Sequence, residues 1–358
     1  MSRVTGREPV QDPGTGPSAE RLIVETVARE GPLAFSRYME LALYDPAVGF
    51  YATGGAGRRR DFITSPEVGP LFGAVVARAL DHWWDEFGQP DPYTFVEAGA
   101  GPGTLARTVL RAQPRCLEAL DYVTVELSDA QRRQHPDGVR ALDALPSAVD
   151  HGVVFANELL DNLPFDIVGF DPDSGWYEVR VDGQNGLLVE RREPLDQPPP
   201  MGPVAPHHAF QRPLQSSAQQ GLRRALDAVT HGRVVIIDYT VPSFPAERGR
   251  SWLRTYAGHT RGDAPLVAPG TADITADVDL AAQARICAPD RTCTQAEWLQ
   301  AHGVDQLVAE GQAIWEAEAS APSLRAVAMR SRASERAALV DPASLGAFTV
   351  AEWRCGQA

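Results

Sequence analysis

The chain has little of what would place it outside a reducing, aqueous compartment. Its 358 residues hold only four cysteines, Cys116, Cys287, Cys293 and Cys355, and none of them forms a C-x-x-C pair. That scatter argues against a zinc knuckle and against a disulfide framework. No apolar run approaches the roughly 20 residues that cross a bilayer. The opening MSRVTGREPVQDPGTGPSAE lacks the apolar stretch of a secretion signal. Positive charge is also short, because 33 Lys and Arg face 47 Asp and Glu for a formal net charge of −14. A sequence-independent grip on a phosphate backbone is therefore disfavoured. These absences point to a cytoplasmic protein without a membrane span or a bulk nucleic-acid partner, and the 44% hydrophobic content supplies a substantial core.

Residues 1–18 are rich in Gly, Pro and charge, which predicts a disordered tail. A helical region is expected over 19–90. Ser18 can cap AERLIVETVARE, and FSRYMELALYDP reads as a second helix ended by Pro46. A glycine-rich loop with the cluster Arg58, Arg59 and Arg60 follows. Ser65 is expected as N-cap and Pro66 as first residue of one long core helix through TSPEVGPLFGAVVARALDHWWDEFG.

From residue 91 onward short apolar runs alternate with helical stretches, the pattern of an α/β fold with a buried parallel sheet. Strands are expected at 93–99, 122–127, 139–142, 152–158 and 232–240. The alternation and turns of 167–195 suggest an antiparallel β insertion. A helix near 214–230 leads back to the sheet. A further insertion covers about 243–330, and 347–354 is expected as an antiparallel edge strand. In TADITADVDL, Asp273, Asp277 and Asp279 lack the glycine and glutamate of a calcium loop and read as an acidic helix start.

The segment FVEAGAGPGTLA sets Gly99, Gly101 and Gly103 directly behind a strand and before a helix. Glycines there let the chain turn sharply and expose bare backbone and helix amides to a ligand. Read from Gly101, GPGTLA satisfies the dinucleotide pattern, with Glu126 near the expected ribose acid. Read from Glu97, the same stretch is an acid followed by the loop that cradles the methionine end of S-adenosylmethionine. The second reading uses Glu97 as well, needs no cation for a diphosphate, and suits a ligand carrying a sulfonium and an ammonium. Glu126, with Leu127 behind it, is placed to accept from both ribose hydroxyls, or else to complement a helix dipole. Asp143 could approach the adenine amino group or stand as a solvated loop residue. In ANELLDNLPFD, residues 156–166, the polar Asn157, Glu158 and Asp161 follow an apolar strand and could orient an acceptor.

These residues together resemble the MidA-like class I methyltransferases, a family that includes a mitochondrial complex I assembly protein that dimethylates an arginine. The likeness runs in family order through GPLAFSRYMELALYDPAVGFY, DFITSPEVGPLFG, FVEAGAGPGTL, VELS, ANELLDNLPFD and LRTYAGHTRGDAPLVAPGTADITADVD. It implies a Rossmann-like seven-stranded core preceded by N-terminal helices, with S-adenosylmethionine as cofactor and a protein substrate. It also implies that Asp61, Phe62, Thr64, Pro66 and Glu67 lie beside the cofactor pocket and that His259 lines the acceptor channel. One departure is Arg60, which stands where the family usually has glycine.

If the acceptor is an arginine, paired carboxylates can fix its plane and localise its charge. Glu158 is expected as that clamp, with Asp161 as second acid and Asn157 setting geometry. Two other functions remain open, a nicotinamide-dependent oxidoreductase and a non-catalytic assembly factor that retains the pocket.

Overall fold

The computed structural model describes residues 18–52, 64–200, 209–244, 250–257 and 260–356. The expected tail apart from Ser18, Arg58 to Arg60, Asp61, Phe62, His259, and His207 and His208, expected at the surface after a Pro-rich connector, lie outside the described residues.

Helix α1 (Ala19–Glu30) starts where the Ser18 hydroxyl accepts from the Arg21 amide at 3.3 Å. It stops at Gly31, whose φ of +83° sends the chain out of the helix. Helix α2 (Phe35–Met39) runs into a π-helical turn, Glu40–Tyr44. The buried faces of both meet the expected β insertion, now seen as strands Asp166–Asp171, Gly175–Gln184 and Leu187–Pro194, through Phe35, Tyr38, Phe165, Ile167, Val179 and Val181.

The single long helix expected from Ser65 is instead two. Thr64 occupies the N-cap position of a one-turn helix α3 (Ser65–Val68), and α4 (Pro70–Glu86) restarts after an extended Gly69. A buried acid from far along the chain fixes the break. Glu335 accepts from the Leu71 amide at 2.8 Å, and a Cβ on Gly69 would stand 2.3 Å from its carboxyl carbon. That carboxylate serves one of the amides that no intrahelical carbonyl reaches. Nothing in the local periodicity near residue 69 encodes it.

The central sheet is built from β1 (Tyr93–Ala98), β2 (Leu120–Val125), β3 (Arg140–Leu142), β4 (Val149–Asn157), β5 (Val229–Asp238), β6 (Arg291–Thr294) and β7 (Thr349–Cys355). Their spatial order is β6-β7-β5-β4-β1-β2-β3. Strands β1 to β5 are parallel, and β7 runs antiparallel to β5. The segment expected as an edge strand is antiparallel but internal, because β6 pairs on its outer side from Arg291↔Glu352 to Thr294↔Thr349. The order reverses between β1 and β4, so a crevice opens beyond their carboxyl ends.

Successive side chains of β1 serve opposite layers. Phe95 packs with α4 residues Phe72, Val75, Leu80 and Trp83, while Val96 joins the helix Ser216–Ala228 through Leu222 and Ala225. Helix α5 (Thr104–Ala112) follows β1 and lies against α4 so closely that a Cβ on Gly73 would sit 2.0 Å from the Thr108 hydroxyl oxygen. The acidic TADITADVDL segment divides its labour. Asp279 caps the helix Leu280–Ala284 by accepting from Ala282 at 3.0 Å, Asp277 pairs with Arg254, and Asp273 is fully buried in the strand Asp273–Ala276.

Candidate active site

The cavity at the switch point is lined by the β1–α5 loop, the ends of β2 and β4, the start of α3, and Tyr44 and Tyr51 of the N-terminal region. Gly99, Gly101 and Gly103 all take left-handed φ, at +72°, +52° and +75°. Their surroundings differ. A Cβ on Gly99 would strike Leu159, and one on Gly103 would crowd His135 and Pro136. At Gly101 the nearest atom is the Gln131 amide oxygen at 3.5 Å, so bare backbone meets the cavity there. Gly103 therefore shapes the loop and caps α5 without lining the cavity.

Four carboxylates line this cavity, those of Glu67, Glu97, Glu126 and Glu158, and no lysine or arginine does so among the described residues. Glu97, at the end of β1, is only 6% exposed and accepts from the Tyr122 hydroxyl at 2.7 Å. Burial pushes its pKa up to about 8. Glu126 accepts from the Gly101 amide at 3.0 Å through one oxygen and from the Ser128 amide at 2.8 Å through the other. The acid thus ties the glycine loop to the end of β2, and its own pKa is raised, chiefly by desolvation. No lining cation among the described residues would neutralise a diphosphate, so the lining does not favour the dinucleotide reading.

Glu158 is a non-glycine residue at φ +52°, which orients its side chain out of the β4 direction. Its amide donates to the Ile237 carbonyl at 2.8 Å. One carboxylate oxygen accepts from the Ser65 amide at 3.0 Å and the Asn157 side-chain amide at 2.9 Å. Ser65, expected as a cap, instead contributes its backbone to this acid and its hydroxyl to Gln295 at 2.9 Å. Burial pushes Glu158 up to about 8, with Asp238 and Glu67 adding like charge.

Other expected site residues lie differently. Thr64, Pro66, Glu67 and Asn157 line the cavity. Asp161 does not. It is 4% exposed, sits in the one-turn helix Leu160–Asn162, and is pushed well up by burial and by the neighbouring Asp238, Asp273 and Glu158. Burial and like-charged neighbours favour its protonated form, and its side chain is not part of the cavity lining. Leu127, 63% exposed, and Asp143, an exposed residue just past β3, also stand outside the lining. Burial of Asp161 follows from the turn's orientation, which the polar spacing of ANELLDNLPFD does not encode.

Several lining or supporting residues escaped the sequence reading. Tyr44, Tyr51, Gln131, Leu159 and Asn162 all line the cavity. His135 supports the loop from behind, with one ring nitrogen 2.8 Å from the Gly101 carbonyl oxygen and the other 2.9 Å from the Thr124 hydroxyl. Only Gln131 carries a local signal, because Ser128 and Gln131 have the spacing of a capping box, which points to a helix start and not to a cavity. The Ser128 hydroxyl does accept from the Gln131 amide at 3.4 Å, but the Gln131 side chain turns toward Tyr51.

The donor and acceptor set fits S-adenosylmethionine. Gly101 offers a surface without side chain, Glu97 and Glu126 offer carboxylates toward an ammonium and a ribose, and the buried Asn157 side-chain oxygen has no hydrogen-bond partner among the described residues. When bound, the cofactor supplies an activated methyl group. The chain's part is to offer that ligand bare backbone at Gly101, while Ser65 and Asn157 fix Glu158 on the cavity wall.

Comparison with known proteins agrees with this geometry. Residues 75–297 match the family described as S-adenosyl-L-methionine-dependent methyltransferase. The Drosophila melanogaster protein named protein arginine methyltransferase NDUFAF7 homolog, mitochondrial, is 28% identical over 309 residues, covering 74% of this chain and 69% of its own length. The human protein arginine methyltransferase NDUFAF7, mitochondrial, is 25% identical over 315 residues, covering 77% and 69%. A Burkholderia thailandensis crystal structure bound to S-adenosyl-homocysteine is 28% identical and superposes with a TM-score of 0.78, covering 94% of this chain and 92% of that one. With the family match spanning more than half of its length and the cavity shaped as described, the chain belongs to the S-adenosyl-L-methionine-dependent methyltransferases.

Proposed function

We propose that the methyl acceptor is an arginine side chain of a protein. The observation that carries this reading is Glu158, an acid fixed by Ser65 and Asn157 on the cavity wall next to the glycine loop. The names of the relatives, protein arginine methyltransferases, support it. A guanidinium is a poor nucleophile because its charge is delocalised. A carboxylate on one of its edges localises that charge away from the reacting nitrogen and fixes its plane. Burial favours the protonated form of Glu158, and an arriving cation favours its ionised form. In this reading Glu158 is the carboxylate that would take the proton the guanidinium loses on methylation. Alignment of this kind can contribute about 7 to 11 kcal/mol to a displacement.

Tritiated S-adenosylmethionine incubated with the protein and the lysate of a host lacking the gene tests the reading. Labelled dimethylarginine or monomethylarginine in a protein band is expected, and its loss in Glu158→Gln with S-adenosyl-homocysteine affinity kept. Label confined to small molecules, or full transfer by Glu158→Gln, would refute it. The same proposal keeps the chain in the cytoplasm, on the strength of four unbridged cysteines. Recovery of the tagged protein in an organelle or membrane fraction would overturn that part. No helix among the described residues is long and apolar enough to cross a membrane.

A further inference from the structure

Glu158 is followed by the one-turn helix Leu160–Asn162, and that turn is gripped from two directions. From the sheet side, the end of β5 holds it, with the Ile237 carbonyl accepting from Glu158 and the Asp238 carboxylate accepting from the Leu160 amide at 2.8 Å. From the other side the grip comes from Tyr51, a residue of the N-terminal region. The Tyr51 hydroxyl accepts from the Asn162 side-chain amide at 2.7 Å and donates to Asp273 at 2.8 Å. Its ring stacks on Tyr44 with centroids 5.3 Å apart and planes 25° from parallel, and the Tyr44 hydroxyl also reaches Asn162, donating to its backbone carbonyl at 3.0 Å. Asn162 is 8% exposed, so these bonds are made away from bulk water. Tyr51 itself lines the cavity.

The two ends of Tyr51 do different things. Its side chain serves the acceptor-side turn. Its backbone carbonyl accepts from the Gln131 side chain at 3.3 Å, and Gln131 stands beside Gly101 of the cofactor loop. Removing the hydroxyl alone therefore leaves the cofactor side, the Tyr44 stack and the Tyr44 bond to Asn162 in place while it removes the bonds of Tyr51 to the Asn162 side-chain amide and to Asp273. Since Glu158 lies only two residues ahead of the turn, a change in Asn162 is felt at the clamp rather than at the cofactor.

We propose that Tyr51 is a positioning residue for methyl transfer, acting through Asn162 on the turn that carries Glu158, so that the N-terminal region is part of the acceptor site. This inference rests on the reading that Glu158 faces the acceptor. Both tyrosine hydroxyls are committed to protein partners, which fits a positioning role and not that of a base.

The test measures label transfer from tritiated S-adenosylmethionine to the lysate of a host lacking the gene, together with S-adenosyl-homocysteine affinity by calorimetry. Tyr51→Phe is expected to lower the maximal transfer rate by about 10- to 100-fold, the scale on which misplacement of a reacting group acts. Its S-adenosyl-homocysteine affinity is expected to stay within about threefold of wild type, a shift of under 1 kcal/mol. Asn162→Asp, which removes the donor to Tyr51 at nearly constant size, is expected to show the same split. Asp273→Asn, which keeps an oxygen to accept from Tyr51, is expected to transfer at close to the wild-type rate. A wild-type rate in Tyr51→Phe, or rate and affinity falling together in both Tyr51→Phe and Asn162→Asp, would overturn the proposal. Glu158→Gln separates the two readings. If that variant transfers normally, the acceptor assignment itself fails, whereas an inactive Glu158→Gln beside a fully active Tyr51→Phe sinks this inference alone.

Discussion

Replacing Glu97 by glutamine should make the ligand-free protein more stable at alkaline pH while removing its affinity for the cofactor. Burial raises the Glu97 carboxyl from 4.5 to about 8. Between those two values the folded chain binds the proton more tightly than the unfolded chain does, so stability is greatest at low pH and is withdrawn as pH rises through the window. A displacement of this size, at about 1.4 kcal/mol per pK unit, removes about 3 kcal/mol between pH 5.5 and pH 8.5. Glutamine keeps an oxygen to accept from Tyr122 and carries no such titration. Urea unfolding of wild type and Glu97→Gln at the two pH values isolates the effect, because Glu158 and the other buried acids are common to both proteins and cancel in the difference. The expected result is a variant that gains about 3 kcal/mol on wild type from pH 5.5 to pH 8.5. Calorimetry should show S-adenosyl-homocysteine binding weakened at least tenfold in the variant. Wild type should release close to one proton on binding at pH 7, because the ligand's ammonium favours the ionised carboxylate. Parallel pH profiles of stability would refute the claim that burial of this carboxyl governs it, and unchanged affinity would refute its role at the ammonium.

Other expectations follow from the same geometry. Gly101→Ala forces a Cβ into a +52° backbone over the cavity, and S-adenosyl-homocysteine affinity should fall by tenfold or more in calorimetry with little change in the far-ultraviolet spectrum. The ratio kcat/KM for methyl transfer should rise with pH through about 8, since the cation clamp requires Glu158 ionised, and Glu158→Asp, with its shorter side chain, should lower the plateau. Gly73→Val must displace Thr108 at the α4–α5 contact, and urea unfolding should show a loss of about 1 to 3 kcal/mol. Glu335→Ala removes the buried acceptor for the Leu71 amide, at a cost of about 1 to 3 kcal/mol in the same measurement.

Local signals were enough for much of the molecule. The apolar runs expected as strands at 93–99 and 232–240 lie in β1 and β5, and the glycines at 99, 101 and 103 form the expected loop, each with left-handed φ. Glu97 and Glu126 were legible because strand ends at a switch point are where ligands bind, and both acids sit at such ends. The edge placement of β7 was misjudged because β6 is a four-residue strand inside a long insertion, too short to show a period. The break at Gly69 was equally hidden, since its cause is a carboxylate in contact from residue 335.

What the amino-acid sequence by itself determined is the class of the sheet, the bare-backbone loop and the two acids that frame it, because each depends on interactions within a few residues of the chain. Tertiary structure alone decided which acids face the cavity. Asp161 follows Glu158 by three positions, yet it is buried away from the cavity while Glu158 lines it, and β5 and Tyr51 hold the turn between them. The same holds for Tyr44, Tyr51 and Gln131, whose places in the cavity arise from contacts between segments far apart in the chain. Such contacts are set by packing, and no local pattern of residues records them.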